Sequence, residues 1–115
     1  MIDRAKKLKA RFYETASGRR PVREWLLEIS QEDRRIVGYD VQTVEFGWPI
    51  GMPVCRPLGD GLWEVRSDLS HGAIGRVIFC ILGGDMVLLH GFVKKSQKTP
   101  PQDIELARKR RKELR

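Results

Sequence analysis

The chain has 115 residues and a mass of 13.3 kDa, close to the commonest size of a single domain and too short for two independent cores. Hydrophobic residues make up 41% and charged residues 32%, with 11 Gly and 6 Pro, which excludes a disordered or low-complexity chain. The net charge of +7 is unevenly spread: residues 1–20 hold 7 Lys/Arg against 2 Asp/Glu, residues 21–93 hold 6 against 10, and residues 94–115 hold 9 against 3.

The N-terminus, Met1-Ile2-Asp3-Arg4-Ala5-Lys6-Lys7, runs into charges without an apolar core, so no signal peptide is expected. Lys9-Ala10-Arg11-Phe12-Tyr13 alternates weakly before the turn-forming Ser17-Gly18 and reads as a first strand. Pro21 suits the first position of a helix whose Val22, Trp25, Leu26 and Ile29 form one stripe. Ser30, with Asp33 three residues on, starts a second helix carrying Val37, Val41 and Val44 to Phe46-Gly47. The pair predicts a helical hairpin.

Gly47-Trp48-Pro49-Ile50-Gly51-Met52-Pro53 is a loop by composition. Strands are expected over Val54 to Leu58, Leu62 to Ser67, Arg76 to Leu82 and Met86 to Val93, the last two joined by Gly83-Gly84-Asp85. Ile74 to Val93 is the most apolar window, but Arg76, the Gly83-Gly84-Asp85 turn and His90 make it a hairpin and not a membrane span. In Thr99-Pro100-Pro101-Gln102, Thr99 can cap, Pro can take the first helical position and Gln102 can complete the box, so a basic helix is expected at about 100–114. The expected class is α+β in a single domain over 1–115: two N-terminal helices on a mainly antiparallel four- to five-stranded sheet, plus a C-terminal helix.

Cys55 and Cys80 form no C-x-x-C and belong to no Cys/His quartet, so a reduced, cytoplasmic protein without a structural zinc is the simpler expectation. Phosphate-binding Gly loops, dinucleotide fingerprints, H-E-x-x-H and supported Ser/His/Asp groupings are all missing, which lowers the weight of nucleotide hydrolysis, dinucleotide redox and zinc proteolysis. A helix-turn-helix over Val22 to Phe46 would lie in an acidic part of the chain and bind phosphates poorly. A mildly acidic middle between basic ends suits a polyanion such as RNA, DNA or a ribosome, or an acidic partner protein; a merely solvated basic surface is the competing reading.

Alternation puts Leu62, Glu64 and Arg66 on one face of their strand and Trp63, Val65 and Ser67 on the other. The hairpin brings Lys94 and Lys95 to the same end of the sheet as Arg76. Glu64, Arg66, Arg76, Lys94, Lys95 and Lys98 are the candidate set, whose sharing of a face depends on strand register; one carboxylate among cations is an arrangement that suits phosphoryl chemistry on RNA. Glu64 and Arg66 as half of a solvated cross-strand ion pair is the alternative. His71, in the polar Asp68-Leu69-Ser70-His71-Gly72 loop, is a candidate acid or base or an exposed loop residue. His90 is expected as a hydrogen-bonded core or edge residue rather than a catalyst, on the side shared with Leu88 and Phe92 if the strand is regular, and Trp25, Trp48 and Trp63 as core rather than base-stacking platforms. Arg108, Lys109, Arg110, Arg111 and Lys112 on the last helix could grip ribosomal RNA, lie under a partner, or be solvated, with Arg108 and Arg111 the candidate phosphate contacts.

Three stretches, Leu62-Trp63-Glu64-Val65-Arg66, Gly75-Arg76-Val77-Ile78-Phe79 and His90-Gly91-Phe92-Val93-Lys94-Lys95-Ser96-Gln97-Lys98-Thr99-Pro100, resemble the phage-derived HigB-like branch of the RelE/ParE toxin superfamily. The resemblance runs from about Pro21 to Arg110 and is most specific in its last stretch. It implies a RelE-like toxin of a type II toxin-antitoxin system with a cognate helix-turn-helix antitoxin. It also implies ribosome-dependent, metal-independent mRNA cleavage in the ribosomal A site, without a cofactor, in which the 2′-hydroxyl attacks the adjacent phosphate. Carried onto this chain, Arg76 and Lys95 would stabilise charge, Arg66 would do so or protonate the leaving group, and Glu64 would take the 2′-hydroxyl proton. A gyrase inhibitor of the ParE kind, a relic that only binds its antitoxin, or a ribosome-independent nucleic-acid binder are the competing expectations.

Overall fold

The structure, a computed structural model, describes residues 5–114; Met1 to Arg4, where the reading of a missing leader begins, lie outside the described residues. The elements are β1 (Lys9–Phe12), α1 (Pro21–Glu28), α2 (Gln31–Gly47), β2 (Cys55–Gly59), β3 (Leu62–Asp68), a single 3-10 turn (Ser70–Gly72), β4 (Ile74–Leu82), β5 (Asp85–Lys94) and α3 (Pro101–Lys112). None of the described helices is long and apolar enough to cross a membrane.

The helical hairpin forms where the apolar stripes predict it. Pro21 occupies the first turn of α1, and the Ser30 hydroxyl accepts the Asp33 N–H at 3.1 Å to cap α2. Between them, Arg34 donates to the carbonyls of Leu26 at 2.7 Å and Ile29 at 3.2 Å, placing a cation on the carbonyls that end α1. Thr99 does not cap α3. The cap position is Pro100, which offers no side-chain bond, and the Thr99 hydroxyl turns inward instead.

Among the described residues five strands form one sheet in the order β1-β5-β4-β3-β2. β2 to β5 make the expected antiparallel meander, while β1 lies parallel to β5, with Lys9 opposite Asp85 and Phe12 opposite Leu88. The N-terminal end of β1 is tied to α2: the Glu45 carbonyl accepts the N–H groups of Lys7 and Leu8, just before the strand, and its buried carboxylate accepts the Ala10 N–H at 2.7 Å.

Helices cover both faces, which explains why Ile74 to Cys80 is buried throughout instead of alternating. Val65, Val77, Phe79, Met86 and Leu88 meet Val22, Val37 and Val44 of α1 and α2. Leu62, Ile78, Cys80, Val87, Leu89 and Phe92 meet Ala107 of α3. Trp48 packs edge-on to Trp63 at 4.9 Å and to Phe79 at 6.0 Å, and Trp25 lies across Gly91, so all three tryptophans belong to the first of these cores. Cys55 and Cys80 are free, buried and on opposite faces; burial pushes the Cys55 thiol up to about 11.

Gly91 is required by close approach: a Cβ there would stand 2.4 Å from Trp25 Cε3. Gly91→Ala should therefore lower stability by about 1–3 kcal/mol through overpacking, read as a reduced urea midpoint at unchanged slope.

Candidate functional site

β3, β4 and β5 place polar residues in two adjacent rows on the face beneath α3. Arg56 of β2, Glu64, Ile78 and His90 form one row; Arg66, Arg76 and Phe92 form the next. The chain from 95 to 100, linking β5 to α3, runs over both rows as a strap. Arg76, wholly buried, holds it down by donating to the carbonyls of Lys98 at 3.0 Å and Ser96. Glu64, equally buried, accepts the Thr99 hydroxyl at 2.5 Å and lies 3.8 Å from Arg76 Nε. At the open end Arg66 donates to the Gln97 carbonyl at 3.2 Å and its side-chain oxygen at 3.1 Å.

Burial, with Arg66 and Arg56 nearby, pulls the Arg76 pKa down while Glu64 pulls it up; a guanidinium remains charged under these opposing influences. Glu64 Oε2, Arg76 Nε and Asp103 Oδ2 are buried without a hydrogen-bond partner, so the network is tightly enclosed but incompletely satisfied.

The predicted residues are divided by depth. Glu64, Arg66 and Arg76 share a face, but only Arg66 keeps part of its surface in solvent; Lys94, Lys95 and Lys98 are exposed around the strap. Arg66 and Gln97 also line an open cleft of about 450 Å³ with Ile36, Asp40 and Asp68, so its walls carry both signs of charge. His71 is exposed, at φ 60°, on a turn tied by Ser70 to Asp33 of α2, the helix covering the opposite face.

His90 is not on the side of Leu88. The register shifts between Ile78 and Phe79, so Leu88 faces α1 and α2 while His90 and Phe92 face α3. There His90 bonds Asp103 at 2.7 Å and stacks on Phe92 with centroids 5.1 Å apart. Arg56, Asp103 and the inward contact of Thr99 with Glu64 escaped the sequence reading because the partners lie across the sheet or on the next element. The spacing that could have flagged Arg56 needs the β2–β3 register, which a bulge between Pro57 and Gly59 alters.

The basic residues of α3 are mostly engaged. Arg108 pairs with Asp60 at 3.1 Å and with Glu105, Arg110 donates to the Leu89 carbonyl at 2.7 Å and lies 5.6 Å from the Tyr13 ring centroid, and Arg111 packs beside Gly61. Lys109 and Lys112 are exposed.

The pattern of the family described as phage-derived protein Gp49-like matches residues 24–112, a span that includes both rows, the strap and α3. The chain belongs to this Gp49-like family. The family is toxin-like and falls within the RelE/HigB-type toxin superfamily. No curated protein matches the chain.

In this Gp49-like chain, two measurements probe the enclosed network. Thr99→Val removes a hydroxyl from a buried carboxylate and should cost about 1–3 kcal/mol, with faster tryptic cleavage after Lys95 and Lys98 as the strap loosens. Burial outweighs Asp103 and, with Arg110, holds His90 below its ordinary 6.5. Because the folded state disfavours the imidazolium, this contribution to stability is complete above about pH 6.5 and is lost as pH falls from there toward the depressed native value. The urea midpoint should drop across that window, and His90→Gln should flatten the drop.

Proposed function

We propose that the chain is the toxin of a type II toxin-antitoxin pair, and that it cleaves mRNA held in the ribosomal A site. The observation that supports this reading is the rim: Arg66, Lys94, Lys95 and Lys98 surround one end of the sheet and its strap, at the start of a C-terminal segment holding 9 Lys/Arg against 3 Asp/Glu. A rim of this kind attracts a phosphate backbone and stabilises the extra negative charge of a pentacoordinate phosphorus.

In the proposed reaction the 2′-oxygen forms a bond to the adjacent phosphorus and the bond from phosphorus to the 5′-oxygen breaks. One proton leaves the 2′-hydroxyl and one is delivered to the departing oxygen. Lys95 and Arg66 are the groups we place against the phosphate, with Lys94 and Lys98 holding the strand on either side. Arg108 and Arg111 would contact ribosomal RNA only on exchanging their present neighbours for phosphate. Arg76 acts by fixing the strap; direct contact of Arg76 or Glu64 with RNA requires the strap to lift, and only then is Glu64 a base for the 2′-hydroxyl. His71 could serve as acid or base only if its turn reached this face. A ribosome that aligns the 2′-hydroxyl with the phosphorus supplies the effective molarity the protein's modest groups do not. The partners in this reading are the ribosome with its mRNA and a cognate helix-turn-helix antitoxin, in the cytoplasm.

A second reading, a binding-only toxin directed at gyrase or a relic that retains antitoxin binding, is favoured by one observation: Glu64 and Arg76 expose no surface. Primer extension on a defined mRNA with and without programmed 70S ribosomes separates the two. The nuclease should cut at the A-site codon only with ribosomes, and Arg66→Ala and Lys95→Ala should each slow cutting about tenfold or more, less than the ~10²–10³ of a water-excluded donor. Growth arrest without cutting would establish the binding-only reading. Arg76→Ala is unsuited to this test, since stranding the buried Glu64 carboxylate should destabilise the fold by about 3–5 kcal/mol.

A further inference from the structure

Beyond Val65, the last residue of β3 that faces a β2 partner, the end of the sheet opens into the cleft of about 450 Å³ that Arg66 and Gln97 line. Its size falls within the roughly 300–1,000 Å³ of small-molecule sites. Asp40 enters it from α2, one turn after Ile36 and on the same side of that helix. Arg66 and Asp68 enter from alternate positions of β3 and so share one face of the strand. Gln97 closes the cleft from the strap, and the loop before β2 adds Met52, a large apolar side chain standing in solvent.

The polar groups of this cleft are uncommitted in a particular pattern. Neither Asp40 nor Asp68 has an ion pair or hydrogen bond among the described residues. Arg66 bonds only the neutral Gln97, which leaves its charge uncompensated, and because the Gln97 side-chain oxygen accepts that bond, its amide nitrogen is left as a donor. A ligand that answers every group brings N–H donors for two carboxylates, an acceptor for an amide, an anion for a guanidinium and a flat apolar body for Met52 and Ile36. A basic peptide segment answers the carboxylates alone, and meets Arg66 and the exposed Lys94, Lys95 and Lys98 at this end of the sheet as like charges. A nucleotide answers all of them, and among the bases guanine does so most fully: its N1–H and N2 amino group lie on one edge beside the O6 acceptor, whereas adenine and cytosine offer an amino group alone and uracil a lone imino N–H. We propose that this cleft is a guanine subsite, in which Asp40 and Asp68 accept from N1–H and the N2 amino group, the Gln97 amide donates to O6, and the nucleotide's phosphate lies at Arg66. The polarisable Met52 thioether packs against the ring. The inference rests on the proposed RNA reading for the phosphate at Arg66, and it adds base selection to a rim whose lysines only position the backbone.

The test uses the whole chain and the 5′- and 3′-monophosphates of guanosine, adenosine, cytidine and uridine, with binding read from amide shifts at Asp40, Met52, Asp68 and Gln97. The guanosine monophosphates should bind about tenfold more tightly than the other nucleotides, the discrimination a well-placed pair of hydrogen bonds gives. Asp40→Asn and Asp68→Asn should each erase most of that preference. Since neither carboxylate has a partner in the fold, both variants should melt at the wild-type temperature. On programmed ribosomes, Asp68→Asn should lower cutting at guanine-containing A-site codons toward the level of the others and leave the others unchanged. Equal binding of the four bases, no shift at these amides, or a guanine preference that survives both substitutions overturns the subsite. Acetyl-arginine amide moving the same amides as strongly as the guanosine monophosphates also overturns it, assigning the cleft to a basic partner protein. The two readings fail separately: selective guanosine monophosphate binding without any mRNA cutting supports the subsite and removes the nuclease, while cutting that ignores base identity, with no nucleotide shifts, removes the subsite and keeps the nuclease.

Discussion

A guanidinium sealed beneath a six-residue strap sets the geometry of the polar face. Arg76 reaches the carbonyls of Ser96 and Lys98 from the middle of the sheet, and Glu64 beside it holds Thr99. Those contacts decide where Pro100 and Pro101 start α3, and the start of α3 decides that Asp103 meets His90. The same strap presents Gln97 to Arg66 and leaves Lys95 and Lys98 in solvent. A buried ion pair of this kind contributes little net stability, because desolvation offsets most of the attraction. Its influence comes from the penalty of breaking it: any other path for the strap would strand a charge inside the protein. Orphaned atoms on both Glu64 and Arg76 make that penalty the ordering force rather than any surplus of hydrogen bonds.

Local periodicity accounts for what the sequence makes legible. Val22, Trp25, Leu26 and Ile29, and then Val37, Val41 and Val44, repeat at helical spacing, so both helices and the face they bury can be read without knowing the partner. Alternation likewise separates Glu64 and Arg66 from Val65 over Leu62 to Ser67. It fails at Leu88 because one extra residue in β5 sends Leu89 and His90 to the same face, and a bulge leaves no mark in so apolar a run. The parallel seat of β1 and the inward turn of Thr99 depend on contacts 35 to 76 residues away, beyond any local pattern. Depth was equally hidden: Arg76 and Lys95 look alike as cations in a candidate site, yet one is the buried clasp of the strap and the other stands on it.

That difference extends to the molecule's other cations. Arg34, Arg76 and Arg110 direct their donors to backbone carbonyls, and Arg11, Arg19 and Arg108 pair with carboxylates. Lys94, Lys95, Lys98, Lys109 and Lys112 stay exposed. The chemistry of the two groups explains the division: a planar fork with several fixed donors satisfies carbonyls and carboxylates inside a fold, whereas a compact, strongly hydrated ammonium remains in water. The formal charge of the C-terminal segment therefore overstates what a polyanion meets on the folded surface. Its attraction would come chiefly from lysines, which contact phosphates as point charges without reading bases, and would fall steeply with salt as counterions are exchanged. A surface of that character binds a backbone and leaves selection to whatever presents it.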